Sequence, residues 1–451
     1  MRESPRSRHD ICLVPARYLA AYSTNHPILQ GAIVTAPIRP DTVTATAAER
    51  PGFREFVGIV ALMMAVTAIS IDNLLPAFPI IGEQFSIADP NRLQLLIYIY
   101  MLGFGAGQIL YGPLSDSLGR RTTLLASLAI YLGATVIAMF SPSFGWLLAA
   151  RFAQGIGAAG GRVLSLAIVR DRYAGRAMAR VMSLTMMVFL IVPMLAPAAG
   201  QGMLLFGSWI WVFVSMLVLG GVLAVWFSVR MPETLHPDRR RPLSLGAMAG
   251  ALRLTVTTRA TIGYGTALGL MVGCIMGYVG SAQQLFDSGL YHLGGWFPLA
   301  FAVVAGAMGA STLVNSRLVE RLGMRWLSHV GLIAFLAVAL VQVVIGLAWH
   351  GQPPLWLFLA VLCLNQFLIS FTMPNFQALA MQPMGEVAGT ASSFLGFYTT
   401  LLGAAFGAMI GQSFDGSVIP VAAGYAGLSA LALLVVFWTE RGRLFRAGGT
   451  G

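Results

Sequence analysis

The sequence predicts an all-α membrane protein whose twelve transmembrane helices form two pseudo-symmetric halves of six. Of its 451 residues, 57% are hydrophobic and 10% are charged, whereas a soluble globular chain is roughly 25% charged. Apolar runs fill the chain from about residue 57 to residue 438. One polar stretch near the middle divides these runs six and six, which suggests two halves.

A bilayer core requires about 20 consecutive apolar residues for each helical span. By this criterion the predicted spans are 56–78, 93–114, 122–140, 145–169, 181–206, 209–229, 260–285, 295–316, 326–348, 355–381, 389–412 and 418–438. Glycine and proline inside such spans are tolerated because neighbouring helices satisfy the backbone.

The placement of arginine predicts the orientation in the membrane. All 28 basic residues are arginines. They cluster in loops 2–3, 4–5, 6–7 and 8–9 and after span 12, and Arg92 is the only arginine in the opposite loops. Because arginine-rich loops remain in the cytoplasm, both termini are expected there. Loop 10–11, which has Glu386 and no arginine, is an exception.

These spans divide the chain into five segments. The two halves are separated by a cytoplasmic linker and flanked by two cytoplasmic tails, the first of them disordered. In order, the segments are 1–54, 55–229, 230–259, 260–438 and 439–451. The polar first 52 residues lack the apolar stretch of a signal peptide, and an over-extended gene start is the alternative to a translated tail.

A faint internal repeat supports the two halves. The matching residues have one constant offset and are Asp116, Gly119 and Arg121 after span 2, and Glu320, Gly323 and Arg325 after span 8. Paired six-helix halves are a known plan of transporters, with the binding site between the halves near the membrane midplane.

Several motifs resemble those of one transporter family. Gly112-Pro-Leu-Ser-Asp116-Ser-Leu-Gly119-Arg120-Arg121 resembles the loop 2–3 signature of the major facilitator superfamily, G-x-x-x-D-x-x-G-R-R. Arg151-Phe-Ala-Gln154-Gly155-Ile-Gly157 resembles its R-x-x-Q-G-x-G motif of drug–proton antiporters. The segments Ser70–Ala77, Arg170–Arg176 and Ala388–Ser393 resemble the bicyclomycin- and chloramphenicol-resistance (Bcr/CflA) subfamily. The resemblance covers about residues 55–440.

The resemblance implies roles for residues of the cytoplasmic loops. A conformational lock is implied at Gly112, Asp116, Gly119, Arg120 and Arg121, and topogenic charge alone is the alternative. A cytoplasmic charge network is implied at Arg170 and Asp171.

Span 5 departs from the family pattern, which usually reads G-P-x-x-G-G. Here the segment is Ala196-Pro197-Ala198-Ala199-Gly200-Gln201. Because proline breaks the hydrogen-bond ladder of a helix, Pro193 and Pro197, together with Gly200, predict a hinge. In span 4, Arg162 occupies a slot where a small residue is expected.

Three charged residues fall well inside the predicted spans, and an intramembrane charge is by default a functional-site hypothesis. At about 1.5 Å per residue, Asp72 lies about 22 Å and Arg151 about 27 Å from the cytoplasmic ends of their spans. The two are therefore placed to pair, and with the resemblance they predict proton coupling; a structural salt bridge is the alternative. Arg162 points the same way as Arg151, and it either snorkels to the surface or pairs with Asp116.

Aromatic and amide side chains in the spans are candidates for a substrate cavity, since pockets for drug-like molecules combine aromatic walls with a few polar groups. Packing or lipid contact is the alternative for each of them. The candidates are Tyr98, Tyr278, Asn365, Asn375 and Tyr398, with Tyr100, Tyr264 and Gln366 as further members.

Two glycine patterns predict close helix packing. Gly155-Ile-Gly157-Ala-Ala-Gly160 matches the dinucleotide fingerprint, but that fingerprint needs a preceding strand, whereas these residues lie inside an apolar helix. Gly403, Gly407 and Gly411 share one face of span 11 and provide either static packing or a sliding surface.

The sequence thus predicts proton-coupled export of small drug-like compounds across the bacterial inner membrane by alternating access. Export of a metabolite such as an amino acid is the alternative. A P-loop for ATP is absent, and neither a channel nor an enzyme fits the residue pattern. We expect no cofactor, no metal and no nucleic acid, and a monomer whose partners are protons, a small-molecule substrate and membrane lipid.

Overall fold

The computed structural model describes residues 51–240 and 245–445. In this part of the chain the secondary structure is entirely helical, and twelve helices are long and apolar enough to cross a membrane. The prediction of twelve spans is confirmed. The chain clusters into two units, Met1–Glu49 and Arg50–Gly451, and all spans belong to the second. The predicted tails lie largely outside the described residues.

The observed spans follow the predicted order. They are Phe53–Gln84, Pro90–Leu118, Arg120–Met139, Phe144–Arg172, Gly175–Leu204, Ile210–Arg230, Arg259–Ser288, Gly294–Leu322, Met324–Ala348, Leu355–Gly385, Ala388–Gln412 and Ile419–Thr439. We call the side at which span 1 begins and span 12 ends the terminal side, and the opposite side the far side.

Span 1 is two helices rather than one. The first helix is Phe53–Asp72, and after a short 3-10 turn at Leu75–Ala77 the second helix is Phe78–Gln84. Pro76 lies in that turn, and proline lacks the N–H that a continuing helix needs. The first helix therefore ends inside the span, where its last carbonyl groups need other partners.

The linker contains a helix that the sequence analysis did not predict. It is Leu245–Thr257, with Ala251 and Thr255 buried. The Thr255 hydroxyl lies 3.9 Å from the Met384 sulfur, so this helix packs against the turn that precedes span 11. At 13 residues it is shorter than a bilayer span, and a search for spans misses it.

The internal repeat is visible in the backbone. Gly119 joins spans 2 and 3 with φ +98°, and Gly323 joins spans 8 and 9 with φ +79°. A left-handed backbone of this kind favours glycine, which has no Cβ. Each glycine directly precedes the first residue of the next span. The two matched segments therefore share one turn geometry.

The glycines of span 4 allow close helix packing, as predicted. A Cβ atom on Gly155 would lie 2.1 Å from the Tyr100 carbonyl oxygen of span 2. A Cβ atom on Gly157 would lie 2.4 Å from the Tyr131 backbone nitrogen of span 3. On span 11, Gly403 and Gly407 approach span 7 in the same way. These contacts bring the backbones of neighbouring spans together.

Candidate functional site

Arg151 is fully buried in the half formed by the first six spans. Its Nε–H donates to the Leu96 carbonyl of span 2 at 3.1 Å, and one terminal nitrogen donates to the Ser70 carbonyl of span 1 at 2.9 Å. The other terminal nitrogen donates to Gln154 Oε1 at 2.5 Å. The guanidinium also lies 4.4 Å from the centre of the Tyr100 ring. This one side chain therefore ties spans 1, 2 and 4 together.

The predicted pairing of Asp72 with Arg151 is wrong for this conformation. Among the described residues, the Asp72 carboxyl makes no ion pair and no hydrogen bond. The reason is the break in span 1. The helix ends at Asp72, so the Ser70 carbonyl lacks an intrahelical donor, and the negative end of the helix dipole attracts a cation. Arg151 satisfies that carbonyl instead of the carboxylate.

Asp72 is nevertheless buried, with 7% of its surface exposed, and it lies between aromatic residues of both halves. Tyr100 of span 2 and Tyr278 of span 7 are both near enough to Asp72 to feel its electrostatic influence. Tyr278 is stacked on Phe301, with ring centres 5.7 Å apart. Asp72 therefore lies where the two sets of six spans meet.

Hydrogen bonds extend from Arg151 to span 3. The Gln154 side chain donates to the Thr135 hydroxyl at 2.8 Å. The Ser70 and Tyr131 hydroxyl oxygens lie 2.7 Å apart. Spans 1 to 4 therefore form one connected polar network around the buried guanidinium.

A charge network lies at the terminal side of the same half. The Arg120 guanidinium lies 2.5 Å from Asp116 and 3.0 Å from Asp171. Glu233, which follows span 6, accepts from the backbone N–H groups of Arg120 and Arg121 at 2.9 and 3.1 Å. Its carboxylate thus caps the start of span 3, where negative charge is favourable.

This network includes some predicted residues and not others. Arg120 joins Asp116 to Asp171, which the sequence analysis assigned to two separate sites, whereas Arg170 is exposed. The Arg121 guanidinium donates to the Ser228 carbonyl. Gly112 faces Ser393 of span 11, since a Cβ on Gly112 would lie 2.2 Å from its hydroxyl. The sequence analysis missed Glu233, although a carboxylate just after span 6 was a visible signal.

The cavity candidates do not line one open cavity in this structure. Four of the five are almost fully buried, and Tyr398 is half-buried. Asn365 bonds to Gln342 and Asn375 to Asn315. Tyr398 bonds to Thr266, and Tyr98 bonds to Gln94 and to the Met276 carbonyl. Apart from the bond between Tyr98 and Gln94, which lies within span 2, these bonds join different spans. A substrate role stays a prediction for each residue.

The predicted hinge in span 5 lies within one helix, Gly175–Leu204, that includes Pro193 and Pro197. Gly200 packs against span 1, because a Cβ there would lie 2.1 Å from the Asn73 carbonyl oxygen. Span 5 is thus in contact with the residue that follows Asp72. A hinge movement stays a prediction.

Four amide side chains meet at the far side, and we call Asn91, Gln94, Gln284 and Gln412 the amide cluster. The Gln94 side chain donates to the Gln284 side-chain oxygen Oε1 and, at 3.0 Å, to the Gly411 backbone carbonyl. Gln284 donates to Asn91 at 2.7 Å, and Gln412 donates to the Asn91 carbonyl at 2.6 Å. The cluster joins span 2 to spans 7 and 11. The sequence analysis did not predict it.

The chain resembles known proteins over most of its length. The model of the Major Facilitator Superfamily matches residues 60–408. An uncharacterized MFS-type transporter, YdgK of Bacillus subtilis, is 30% identical over 390 residues, which cover 84% of this chain and 92% of that protein. The bicyclomycin resistance protein homolog of Haemophilus influenzae is 26% identical, with coverages of 79% and 88%. Multidrug resistance protein D of Escherichia coli is 27% identical, with coverages of 80% and 90%.

Two solved structures show the same fold. The human organic anion transporter MFSD10 (TETRAN) matches with a TM-score of 0.63 and 20% identity, covering 86% of this chain and all of that one. The xylose transporter XylE from Escherichia coli matches with a TM-score of 0.66 and 13% identity, covering 88% and 99%.

Proposed function

The chain belongs to the Major Facilitator Superfamily and is a multi-pass membrane transporter of small molecules, and on this basis we propose that it exports drug-like compounds across the bacterial inner membrane in exchange for protons. Relatives named for multidrug and bicyclomycin resistance support this proposal. Both tails and the linker are then cytoplasmic, so that the terminal side faces the cytoplasm.

The observation that carries the proton step is the environment of Asp72. If Asp72 served only to neutralise Arg151, its carboxylate would lie against the guanidinium. Instead the guanidinium bonds to two carbonyl groups and an amide. An isolated ionised carboxylate is costly to bury, so Asp72 holds a proton in this conformation and releases it in another.

The halves 55–229 and 260–438 then move against each other, and in the structure the amide cluster holds span 2 to spans 7 and 11 at the far side. Asp72 lies between the halves, so the same movement changes its access to water. In this scheme the network of Asp116, Arg120 and Asp171 holds the terminal ends of spans 2, 3 and 4 together as one unit. The protein acts as a monomer, because each chain contains both halves.

The test is substrate-induced proton release by purified protein. Asp72→Asn removes the titrating group with little change in size, and we expect proton release to disappear while the substrate still binds. Glu83→Gln, an exposed carboxylate of the same span, is the matched control and should release protons normally. Proton release that persists in Asp72→Asn would reject Asp72 as the carrier.

The choice between drugs and a metabolite is tested in cells. Expression in an efflux-deficient bacterial strain should raise resistance to several compounds of an antibiotic panel, and Asp72→Asn should abolish that effect. Unchanged resistance to the whole panel, together with accelerated efflux of an amino acid, would favour the metabolite exporter.

A further inference from the structure

His329 lies near the terminal end of span 9 and is completely buried. Within the part of the chain that the structure describes it is the only buried histidine, since His236, His292 and His350 are exposed. A buried polar ring needs hydrogen-bond partners. Both ring nitrogens of His329 have a neighbour within hydrogen-bond distance, and the two neighbours belong to different elements of the second half.

These hydrogen bonds assign the proton of the His329 ring. The Phe445 backbone N–H lies 3.2 Å from Nδ1, and because a backbone N–H only donates, Nδ1 accepts and carries no hydrogen. The proton of the neutral ring is therefore on Nε2, which lies 3.4 Å from the Tyr264 hydroxyl. That hydroxyl donates to the Glu440 carboxylate at 2.5 Å, and Glu440 lies 3.7 Å from the Arg325 guanidinium. Each donor of this series has an acceptor only while His329 is neutral.

The chain that docks on His329 follows span 12, and we call residues 441–445 the tail segment. Arg441 and Gly442 have φ of +54° and +76°, which turns the chain back toward span 9. Phe445 has φ +63°, and a left-handed backbone is costly for a residue with a Cβ. The backbone N–H groups of residues 441–443 bond to the end of span 12 itself. The bond to His329 is therefore the one that joins the backbone of the tail segment to another span.

Few charged groups surround His329. Glu440 and Arg325 are near enough to act on it electrostatically, whereas Arg259 of span 7 lies over the Trp438 ring. Spans 10 and 12 also pack against span 9, and neither contains a charged residue. The charged residues at the end of span 8 and in the tail segment are exposed, and they are Arg317, Glu320, Arg321, Arg441 and Arg443. His329 is thus the member of this cluster whose residue type changes charge near neutral pH.

We propose that His329 is a proton-operated latch, which in its neutral form holds the tail segment on span 9 and releases it when the ring takes up a second proton. A protonated imidazole carries a hydrogen on both nitrogens, so Nδ1–H and the Phe445 N–H would face each other without an acceptor. Phe445 is 44% exposed, so a proton reaches the ring from the terminal side. In the proposed orientation the latch responds to cytoplasmic pH, whatever compound is transported.

The test follows the mobility of the tail segment at different pH. In a variant with Cys12, Cys274 and Cys363 replaced by alanine, Arg443→Cys carries a nitroxide spin label at an exposed position of the segment. Between about pH 8 and about pH 5, the range in which histidine gains its charge, we expect the label on purified protein to move several-fold faster, reversibly, in electron paramagnetic resonance spectra. In His329→Gln, whose amide oxygen accepts a hydrogen bond but does not titrate, the spectrum should be the same at both pH values.

His236→Gln, which alters an exposed histidine of the terminal side, is the matched control and should keep the full pH response. Label mobility that does not change with pH while His329 is present would overturn the proposal, and so would a response that survives in His329→Gln. Glu440→Gln examines the other titratable carboxyl of the cluster and should keep a response. A response lost in Glu440→Gln but kept in His329→Gln would assign the switch to Glu440 instead. The spectra are recorded without substrate, so their outcome is independent of the proposed export.

Discussion

At the scale of single residues, the polar centre of the first half depends on where one helix stops. The sequence indicated that Asp72 and Arg151 lie at similar depth, and this is so. It did not indicate that the helix of span 1 ends at Asp72, because an uninterrupted apolar run predicts one continuous span. The free Ser70 carbonyl at that end is what Arg151 binds, and only the backbone path shows it.

Replacing Arg151 tests this arrangement. Arg151→Ala leaves buried acceptors on spans 1, 2 and 4 without a donor, at about 1–3 kcal/mol for each. We expect the thermal midpoint of the purified protein to fall and transport to be lost. Arg151→Lys should recover stability only in part, because an ammonium lacks the planar fork of donors.

Arg317→Ala removes an exposed arginine and serves as the control, with little expected change in the thermal midpoint. Transport at the wild-type rate by Arg151→Ala would show that the residue is dispensable.

At the scale of helices, close approach of spans 2, 3 and 4 requires glycine at defined positions. The sequence predicted this role correctly, since a row of small residues in an apolar helix is typical of close contact between helices. It missed the linker helix Leu245–Thr257, because that helix is shorter than the length that a bilayer requires. Glu233 was missed for a different reason. Its partners are backbone groups of a distant span, and no pattern of side chains indicates such a contact.

Two alanine substitutions on span 4 separate packing from helix propensity. Alanine favours a helix over glycine by about 1 kcal/mol. In Gly145→Ala the new methyl group meets no atom within 4 Å, so the thermal midpoint should hold or rise. In Gly155→Ala it would meet the Tyr100 carbonyl oxygen at 2.1 Å, so spans 2 and 4 must separate.

We therefore expect Gly155→Ala to lower the thermal midpoint and the yield of folded protein, as measured by size-exclusion chromatography in detergent. Equal midpoints for the two variants would mean that span 4 adjusts without cost and that its glycines do not limit packing.

At the scale of the whole molecule, the repeat and the number of spans followed from the sequence, but the contacts between the halves did not. Gln94, Gln284 and Gln412 come from three separate spans, and amides near span ends have no distinctive pattern. Only the assembled fold brings them together. The same holds for the contact between Gly112 and Ser393.

Weakening the amide cluster should favour the conformation that is open at the far side. In a variant with Cys12, Cys274 and Cys363 replaced by alanine, Ser281→Cys introduces a single buried thiol next to Gly280, which faces Tyr98 across the halves. Adding Gln94→Ala removes two hydrogen bonds of the cluster. We expect labelling of the thiol by a membrane-impermeant maleimide to become several-fold faster, because about 2 kcal/mol changes a population up to about thirtyfold.

Gln352→Ala, which alters an exposed amide in a far-side loop, should leave the labelling rate unchanged. A Gln94→Ala rate equal to that control would show that other contacts keep the far side closed.

The amide cluster has a consequence for the environments that the protein tolerates. Asparagine and glutamine neither gain nor lose protons, and their hydrogen bonds are not attractions between full charges that salt would screen. A seal made of carboxylates and arginines would loosen when the outside becomes acidic or saline. This one does not depend on such charges. In the proposed exchange with protons, in which the far side faces outward, acidification outside the cell would therefore drive transport without also opening a path through which protons leak.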